Sequence, residues 1–99
     1  MIKKPKEVIE KVCQFLELKE EDVISKTKTR ELADARHIIF YILYNDEYIS
    51  MTQQKIGSMF NTDHSCVCFG IKKVADLLSV SDAFRTKYQD VKSFVYAQS

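Results

Sequence analysis

The chain has 99 residues, enough for one small domain that we expect to span residues 1–99. It contains only two Gly and one Pro, which leaves little material for hairpins and tight turns and favours helices over an all-β fold. Its 15 Lys and Arg residues against 14 Asp and Glu residues give a formal net charge of +1, which excludes a uniformly basic nucleic-acid-binding protein. Any contact with nucleic acid must therefore depend on charges that are segregated on the surface.

The charges are distributed unevenly along the chain. Residues 1–30 carry eight Lys/Arg and six Asp/Glu, residues 31–62 carry two and four, and residues 63–99 carry five and four. The densest basic stretch, residues 25–30, alternates three cations with hydroxyl side chains and contains no acid. This distribution predicts a basic face and an acidic back. An ordinary solvated loop is the alternative interpretation of the basic stretch.

Several classes of protein are excluded by what the sequence does not contain. No apolar run approaches the ~18 residues that a membrane span requires, and no hydrophobic segment follows the basic start as in a signal peptide. The odd number of cysteines, three, suggests a reducing cytoplasm rather than a disulfide framework. No Gly-rich nucleotide-binding loop is present. We therefore expect a cytoplasmic protein with no cofactor and no membrane contact.

Two short motifs resemble sites of chemistry, but their spacing argues against it. His64, Cys66 and Cys68 are two residues apart, so on a helix they point in different directions and do not form a metal site. Asp63, His64 and Ser65 are contiguous and cannot align as nucleophile, base and orienting acid. We expect no metal-binding or catalytic residues and no enzyme activity.

Apolar residues at helical spacing predict three helices in the first half of the chain. The first follows Pro5 and carries the stripe Val8, Val12 and Leu16, and a second, short helix covers residues 20–25. Residues 36–44 are nearly all apolar or aromatic, which indicates a helix buried on most of its surface. A strand is the competing prediction for this segment, because Ile, Phe and Tyr favour sheets.

Three further helices complete an all-α bundle of about six. Ser50 and Gln53 can form a capping box for a short helix that ends near Phe60, and residues 61–63 form a turn in which Asp63 can cap the next helix. A longer helix over residues 64–78 then carries a buried stripe, which consists of Val67, Ile71, Val74 and Leu78. Ser81 or Asp82 can cap the last helix. Its stripe consists of Phe84, Tyr88, Val91 and Val95.

A short helix, a tight turn and a longer helix together describe a helix-turn-helix, whose second helix lies in the major groove of DNA. This order of elements is weakly specific alone, so the exposed face of the second helix matters. Short polar groups at a helix start can reach base edges, and lysines one or two turns later lie near phosphates. The side chains predicted on that face are Asp63, His64, Ser65, Cys66, Phe69, Lys72 and Lys73.

These residues resemble the C-terminal DNA-binding domain, domain IV, of the bacterial replication initiator DnaA. Residues 56–67 resemble the family's signature, in which a phenylalanine and a short turn precede Asp-His-Thr-Thr-Val. Residues 22–30 are similar to its DLLS-K basic loop, and residues 35–38 to its PRQ helix start. The resemblance covers roughly residues 6–95 and implies a stand-alone domain of the same all-α, TrpR-like fold.

Carried over position by position, the resemblance implies two sets of DNA contacts. The base-contacting residues would be Asp63, His64, Ser65 and Cys66 in the major groove and Lys28 in the adjacent groove. The backbone-contacting residues would be Lys26, Arg30, Arg36, Phe69, Lys72 and Lys73.

The chain departs from the family pattern at several of these positions. Cys66 replaces the second Thr, Phe69 replaces a His, and Lys28 replaces the Arg that enters the groove. The turn at Asn61 and Thr62 is one residue shorter. These departures leave a second hypothesis open, in which the fold is retained as a protein-interaction module that uses aromatic side chains.

We therefore expect sequence-specific binding to double-stranded DNA in the control of replication initiation or transcription, without ATPase activity. The host would be a bacterium, a bacteriophage or a mobile element. Replication proteins are further expected partners, and a monomer is the favoured oligomeric state.

Overall fold

The computed structural model describes residues 4–24, 29–46, 49 and 51–97. These residues form six α-helices: α1 (Pro5–Leu16), α2 (Glu20–Ile24), α3 (Arg30–Asn45), α4 (Gln53–Met59), α5 (His64–Val80) and α6 (Asp82–Ala97). The predicted all-α class is thereby confirmed, with α2 and α4 as the two short helices. The competing strand over residues 36–44 is wrong, because that segment lies within α3.

Helix α3 lies at the centre of the bundle. It packs against α1, α2, α4 and α5, while α6 closes the structure by packing on α1 and α5. A helix with neighbours on so many sides must be apolar around most of its circumference, as residues 36–44 are. Its buried side chains are Leu32, Ala35, Ile38, Ile39, Phe40, Ile42 and Leu43.

The outer helices each turn one stripe toward this centre. Helix α1 buries Val8, Ile9, Val12 and Cys13. Helix α6 buries Tyr88, Val91 and Val95, with Phe84 packed against the core at its edge. The predicted stripes are therefore confirmed. No helix within the described ranges is both long and apolar enough to cross a membrane.

Hydroxyl side chains begin three of the helices. Thr29 Oγ1 accepts the backbone N–H of Leu32 at the start of α3, and Thr52 Oγ1 accepts that of Lys55 in α4 (N···O distances 3.4 and 3.2 Å). The predicted capping box at Gln53 is wrong, because Gln53 is the first residue of α4 and Thr52 is its N-cap. Its other member, residue 50, lies outside the described residues.

At the last helix, Ser81 provides the cap. Its Oγ accepts the backbone N–H of Phe84 (3.2 Å), and Asp82 is already inside α6. The two predicted alternatives for this cap are thereby resolved in favour of Ser81.

The protein-interaction hypothesis depends on the aromatic side chains at residues 40, 41, 44 and 48, and two of them pack inside the bundle. Phe40 is buried, and Tyr41 packs edge-on against Tyr88 of α6 with ring centroids 5.5 Å apart. Tyr44 is 42% exposed, and Tyr48 lies outside the described residues. Among the described members of this set, Tyr44 is the side chain that stays exposed to a partner.

Gly57 allows the turn after α4 to close on the helix itself. The backbone N–H of Thr62 donates to the carbonyl oxygen of Gly57 (2.8 Å), and a Cβ at Gly57 would lie 2.7 Å from the carbonyl oxygen of Thr62. Asn61 completes the turn with φ 54°, in the left-handed region that Asn tolerates better than most residues.

Replacing Gly57 with Ala should destabilise the protein. Helix propensity alone favours Ala by about 1 kcal/mol, but overpacking against backbone that cannot rotate away typically costs ~1–3 kcal/mol. We expect a net loss of about 1–2 kcal/mol in the free energy of unfolding, measured by urea denaturation. Ser58→Ala is the control, because Ser58 is exposed on the same helix. Equal stability of the two variants would contradict the close approach at Gly57.

Candidate nucleic-acid interface

The start of α5 is fixed by Asp63. This residue has extended backbone angles (φ −90°, ψ 169°), and its Oδ1 accepts the backbone N–H of Cys66 at 3.1 Å. That hydrogen bond is the main cause that holds the pKa of Asp63 below its usual range. The predicted N-cap is confirmed, and the exposed carboxylate is charged at neutral pH.

The rest of α5 divides into a buried and an exposed side. Val67, Gly70 and Val74 face the core, with Ile71 and Leu78 packed against its edge. Over residues 64–73, the exposed side chains are those that the sequence predicted: His64, Ser65, Cys66, Phe69, Lys72 and Lys73. On a helix, Ser65, Cys66 and Phe69 are neighbours at spacings of three and four residues. Helix α5 therefore presents polar, apolar and basic groups in that order along one face.

Arg36 connects α3 to α2 beside this face. Its Nε donates to the backbone carbonyl oxygen of Val23 in α2 (2.8 Å), and partial burial lowers the pKa of its guanidinium. Since α2 ends at Ile24, this contact fixes the point from which the chain enters residues 25–30. Arg36 thus has a positioning role that sequence reasoning did not assign to it.

His37 is a part of the site that sequence reasoning missed. Its half-buried ring on α3 contacts the ring of Phe69 edge-on, with centroids 6.0 Å apart and an interplanar angle of 78°. Burial is the largest cause of its lowered pKa, and the positive charge of Lys73 is the next. The ring is therefore uncharged at neutral pH. Its position next to Arg36 was visible in the sequence, but nothing there showed which way the ring faces.

Helices α3 and α5 approach closely at this point because residue 70 is glycine. A Cβ at Gly70 would lie 2.7 Å from Cδ2 of His37 and 2.9 Å from Cδ2 of Phe40. Phe40 in turn packs edge-on against Phe60 from the turn, with centroids 4.9 Å apart. A line of rings therefore runs from the turn through the core to Phe69 at the surface.

A groove of about 590 Å³ lies between α5, α3 and the end of α2. Its walls include five of the predicted contact residues: Arg36, Asp63, Ser65, Cys66 and Phe69. The other described members of the predicted set, His64, Lys72, Lys73 and Arg30, are exposed but do not line it. Lys26 and Lys28 lie outside the described residues, so their predicted contacts stay predictions.

The thiols of Cys66 and Cys68 lie on different sides of α5, because residues two apart on a helix do not face each other. Cys66 is exposed, Cys68 is half-buried, and both are free. Across the described part of the chain, no three His, Cys, Asp or Glu side chains converge as metal ligands would.

Comparison with known proteins agrees with this architecture. The family model described as the bacterial dnaA protein helix-turn-helix matches residues 5–74. The "Chromosomal replication initiator protein DnaA" of Bacteroides thetaiotaomicron is 29% identical over 90% of this chain and 19% of its own length. The proteins of the same name from Campylobacter concisus and Mycoplasma pneumoniae are both 32% identical, over 87% and 79% of this chain.

The chain thus spans about a fifth of the length of these relatives, with 19% and 20% of the Bacteroides and Campylobacter proteins covered. The matched region contains α4, the turn and the part of α5 that carries the exposed face, and a helix-turn-helix is a DNA-binding unit. The chain belongs to the bacterial DnaA helix-turn-helix family.

Proposed function

We propose that this domain binds double-stranded DNA in a sequence-specific manner, with α5 in the major groove and residues 26–30 as a second anchor. The observation that carries the proposal is the exposed face of α5, on which short polar groups precede two lysines. In a helix-turn-helix, the N-terminal residues of the second helix contact base edges. The cap at Asp63 and the turn at Gly57 fix that N-terminus, where residues 63–66 are exposed.

The base-contacting roles follow from side-chain chemistry. Asp63 uses Oδ1 for its cap, so Oδ2 is the oxygen that we assign to a cytosine amino group. The hydroxyl of Ser65 can donate or accept, and the exposed ring of His64 can do either at the helix start. Cys66 and Lys28 complete the proposed base-contacting set, Lys28 in the adjacent groove.

The phosphate-contacting roles follow from charge. Lys72 and Lys73 lie two turns into α5, and Arg30 is exposed at the start of α3. Arg36 lies close enough to His37, as Lys73 does, for its charge to lower the pKa of that ring. The two cations, on α3 and α5, therefore lie near the same ring, where a phosphate backbone would pass. Lys26 joins this set by position in the family pattern.

The biological role that we propose is regulation of replication initiation or of transcription. The relatives named above are described as chromosomal replication initiator proteins. The DNA contacts proposed for this domain require no nucleotide cofactor.

Removing the two lysines of α5 should weaken binding to all duplex sequences. We expect Lys72→Ala/Lys73→Ala to reduce the slope of log K against log salt by roughly 1–2, because each neutralised phosphate contributes about 0.9 for B-DNA. Fluorescence anisotropy with a labelled duplex measures this slope over salt concentrations from about 50 to 200 mM. Lys28→Ala/Arg30→Ala should act in the same direction.

The matched control is Lys6→Ala/Lys92→Ala. These two exposed lysines lie on α1 and α6, which pack on each other, and their removal changes the net charge equally. If both double variants reduce the slope equally, the proposed orientation on DNA is wrong. If the unmodified protein binds no duplex at low salt, binding to DNA itself is refuted.

Substitution should separate the capping role of Asp63 from its proposed base-contacting role. Asp63→Ser keeps a capping side chain and removes the carboxylate, whereas Asp63→Ala removes both. We expect the Ser variant to keep most of the thermal stability but to change the preferred base at one position in a selection from random duplexes. The Ala variant should lose stability as well. A selected sequence identical to that of the unmodified protein would contradict a base contact by Asp63.

A further inference from the structure

Phe69 exposes a large apolar surface in the middle of α5. Its side chain is 62% exposed, more than that of any other aromatic residue in the described part of the chain. The aromatic residues with the next highest exposure are Tyr44 at 42% and Phe15 at 38%. Phe15 is packed against Phe94 (centroids 5.3 Å apart), whereas Phe69 meets only the edge contact with His37 among the ring contacts of the described residues.

Phe69 lies on the same face as the proposed base-contacting residues. It follows Ser65 by four residues and Cys66 by three, and it precedes Lys72 and Lys73 by three and four. The buried residues Val67, Gly70 and Val74 lie on the other side of the helix. Cys66 and Phe69 together therefore form an apolar patch, which we call the Cys66–Phe69 patch, surrounded by polar and basic groups.

The direction of the ring is set by α3. His37 packs its ring against that of Phe69, and the missing Cβ at Gly70 lets His37 come this close. His37 is uncharged at neutral pH, so it places no charge beside the ring of Phe69. The aromatic ring is thus supported at one edge by α3 while most of its surface stays exposed.

We propose that the Cys66–Phe69 patch recognises the C5-methyl group of thymine in the major groove. This inference rests on the proposed function, because it requires α5 to lie in that groove. Among the major-groove edges of the four bases, thymine alone carries an apolar group, and apolar side chains such as Phe discriminate by contact with it. Lys72 and Lys73, one turn after Phe69, are suited to the phosphates next to such a base.

The proposal moves Phe69 from the phosphate backbone, where the family pattern places it, to a base edge. A phenyl ring has no hydrogen-bond donor and no charge, so it has nothing to offer a phosphate oxygen. Cys66 is also a weak hydrogen-bonding group, since its thiol is a poor donor and acceptor. Two neighbouring positions on one face are thus suited to apolar contact and poorly suited to hydrogen bonding.

Substitution of thymine by deoxyuridine tests this proposal, since it removes only the methyl group. A consensus site is first selected from random duplex DNA with the unmodified protein, and each thymine is then replaced singly. At one or two positions we expect affinity to fall about 3- to 5-fold, as burial of one methyl group at ~0.8 kcal/mol implies. Phe69→Ala should bind the thymine and deoxyuridine duplexes equally at those positions.

Phe15→Ala is the matched control, because it truncates another partly exposed Phe and should leave the thymine-to-deoxyuridine ratio unchanged. Circular dichroism checks that Phe69→Ala is folded, which its exposure leads us to expect. Equal affinity of the unmodified protein for thymine and deoxyuridine at every position would overturn the proposal while leaving DNA binding intact. A ratio that survives Phe69→Ala would also overturn it. Failure to select any site would instead refute the proposed function.

The same methyl group occurs on 5-methylcytosine. A second set of duplexes therefore distinguishes recognition of thymine from recognition of 5-methylcytosine. At the sensitive position, thymine is replaced by cytosine or by 5-methylcytosine, each paired with guanine. If methylation increases affinity only when Phe69 is present, the patch accepts the methyl group on either pyrimidine. If methylation has no effect while the deoxyuridine effect persists, recognition is restricted to thymine, as proposed.

Discussion

The position of α5 depends on a contact between two stretches of backbone. The turn after α4 folds back until the N–H of Thr62 reaches the carbonyl oxygen of Gly57, and no Cβ could occupy the space between them. This contact sets the angle at which α5 leaves the turn and brings Asp63 to its N-terminus as a cap. Every base contact proposed for the major groove lies at Asp63 or within the two helical turns that follow. The second glycine of the chain, Gly70, has the same kind of role, because it lets α3 and α5 meet at His37 and Phe40.

Much of this fold could be predicted from the sequence because its helices are amphipathic in a regular way. Stripes at spacings of three and four residues predicted the buried sides of α1, α5 and α6, and the nearly continuous apolar run of α3 predicted its central place. The start of α4 was predicted incorrectly because residues 50 and 52 both carry hydroxyl groups and either can cap a helix. Local chemistry does not choose between them, and the helix that forms begins after Thr52.

The candidate site was predictable where it depends on one helix and unpredictable where two helices meet. The exposure of His64, Ser65 and Phe69 follows from the position of the buried stripe on α5. The contact of His37 with Phe69 and the hydrogen bond from Arg36 to Val23 depend on how α3 packs against its neighbours. No pattern within a single helix encodes these tertiary contacts. The near-zero net charge likewise gave no indication that Arg36 and Lys73 both lie near the ring of His37.

The central claim is that one face of α5 is the surface that meets duplex DNA. An NMR titration of the isotope-labelled protein with its selected duplex tests this claim residue by residue. We predict that the largest amide shifts fall on residues 63–73, at the start of α3 and on residues 26–30, while α1 and α6 change little. Shifts concentrated around Phe15 and Phe94, with residues 63–73 unaffected, would contradict the claim.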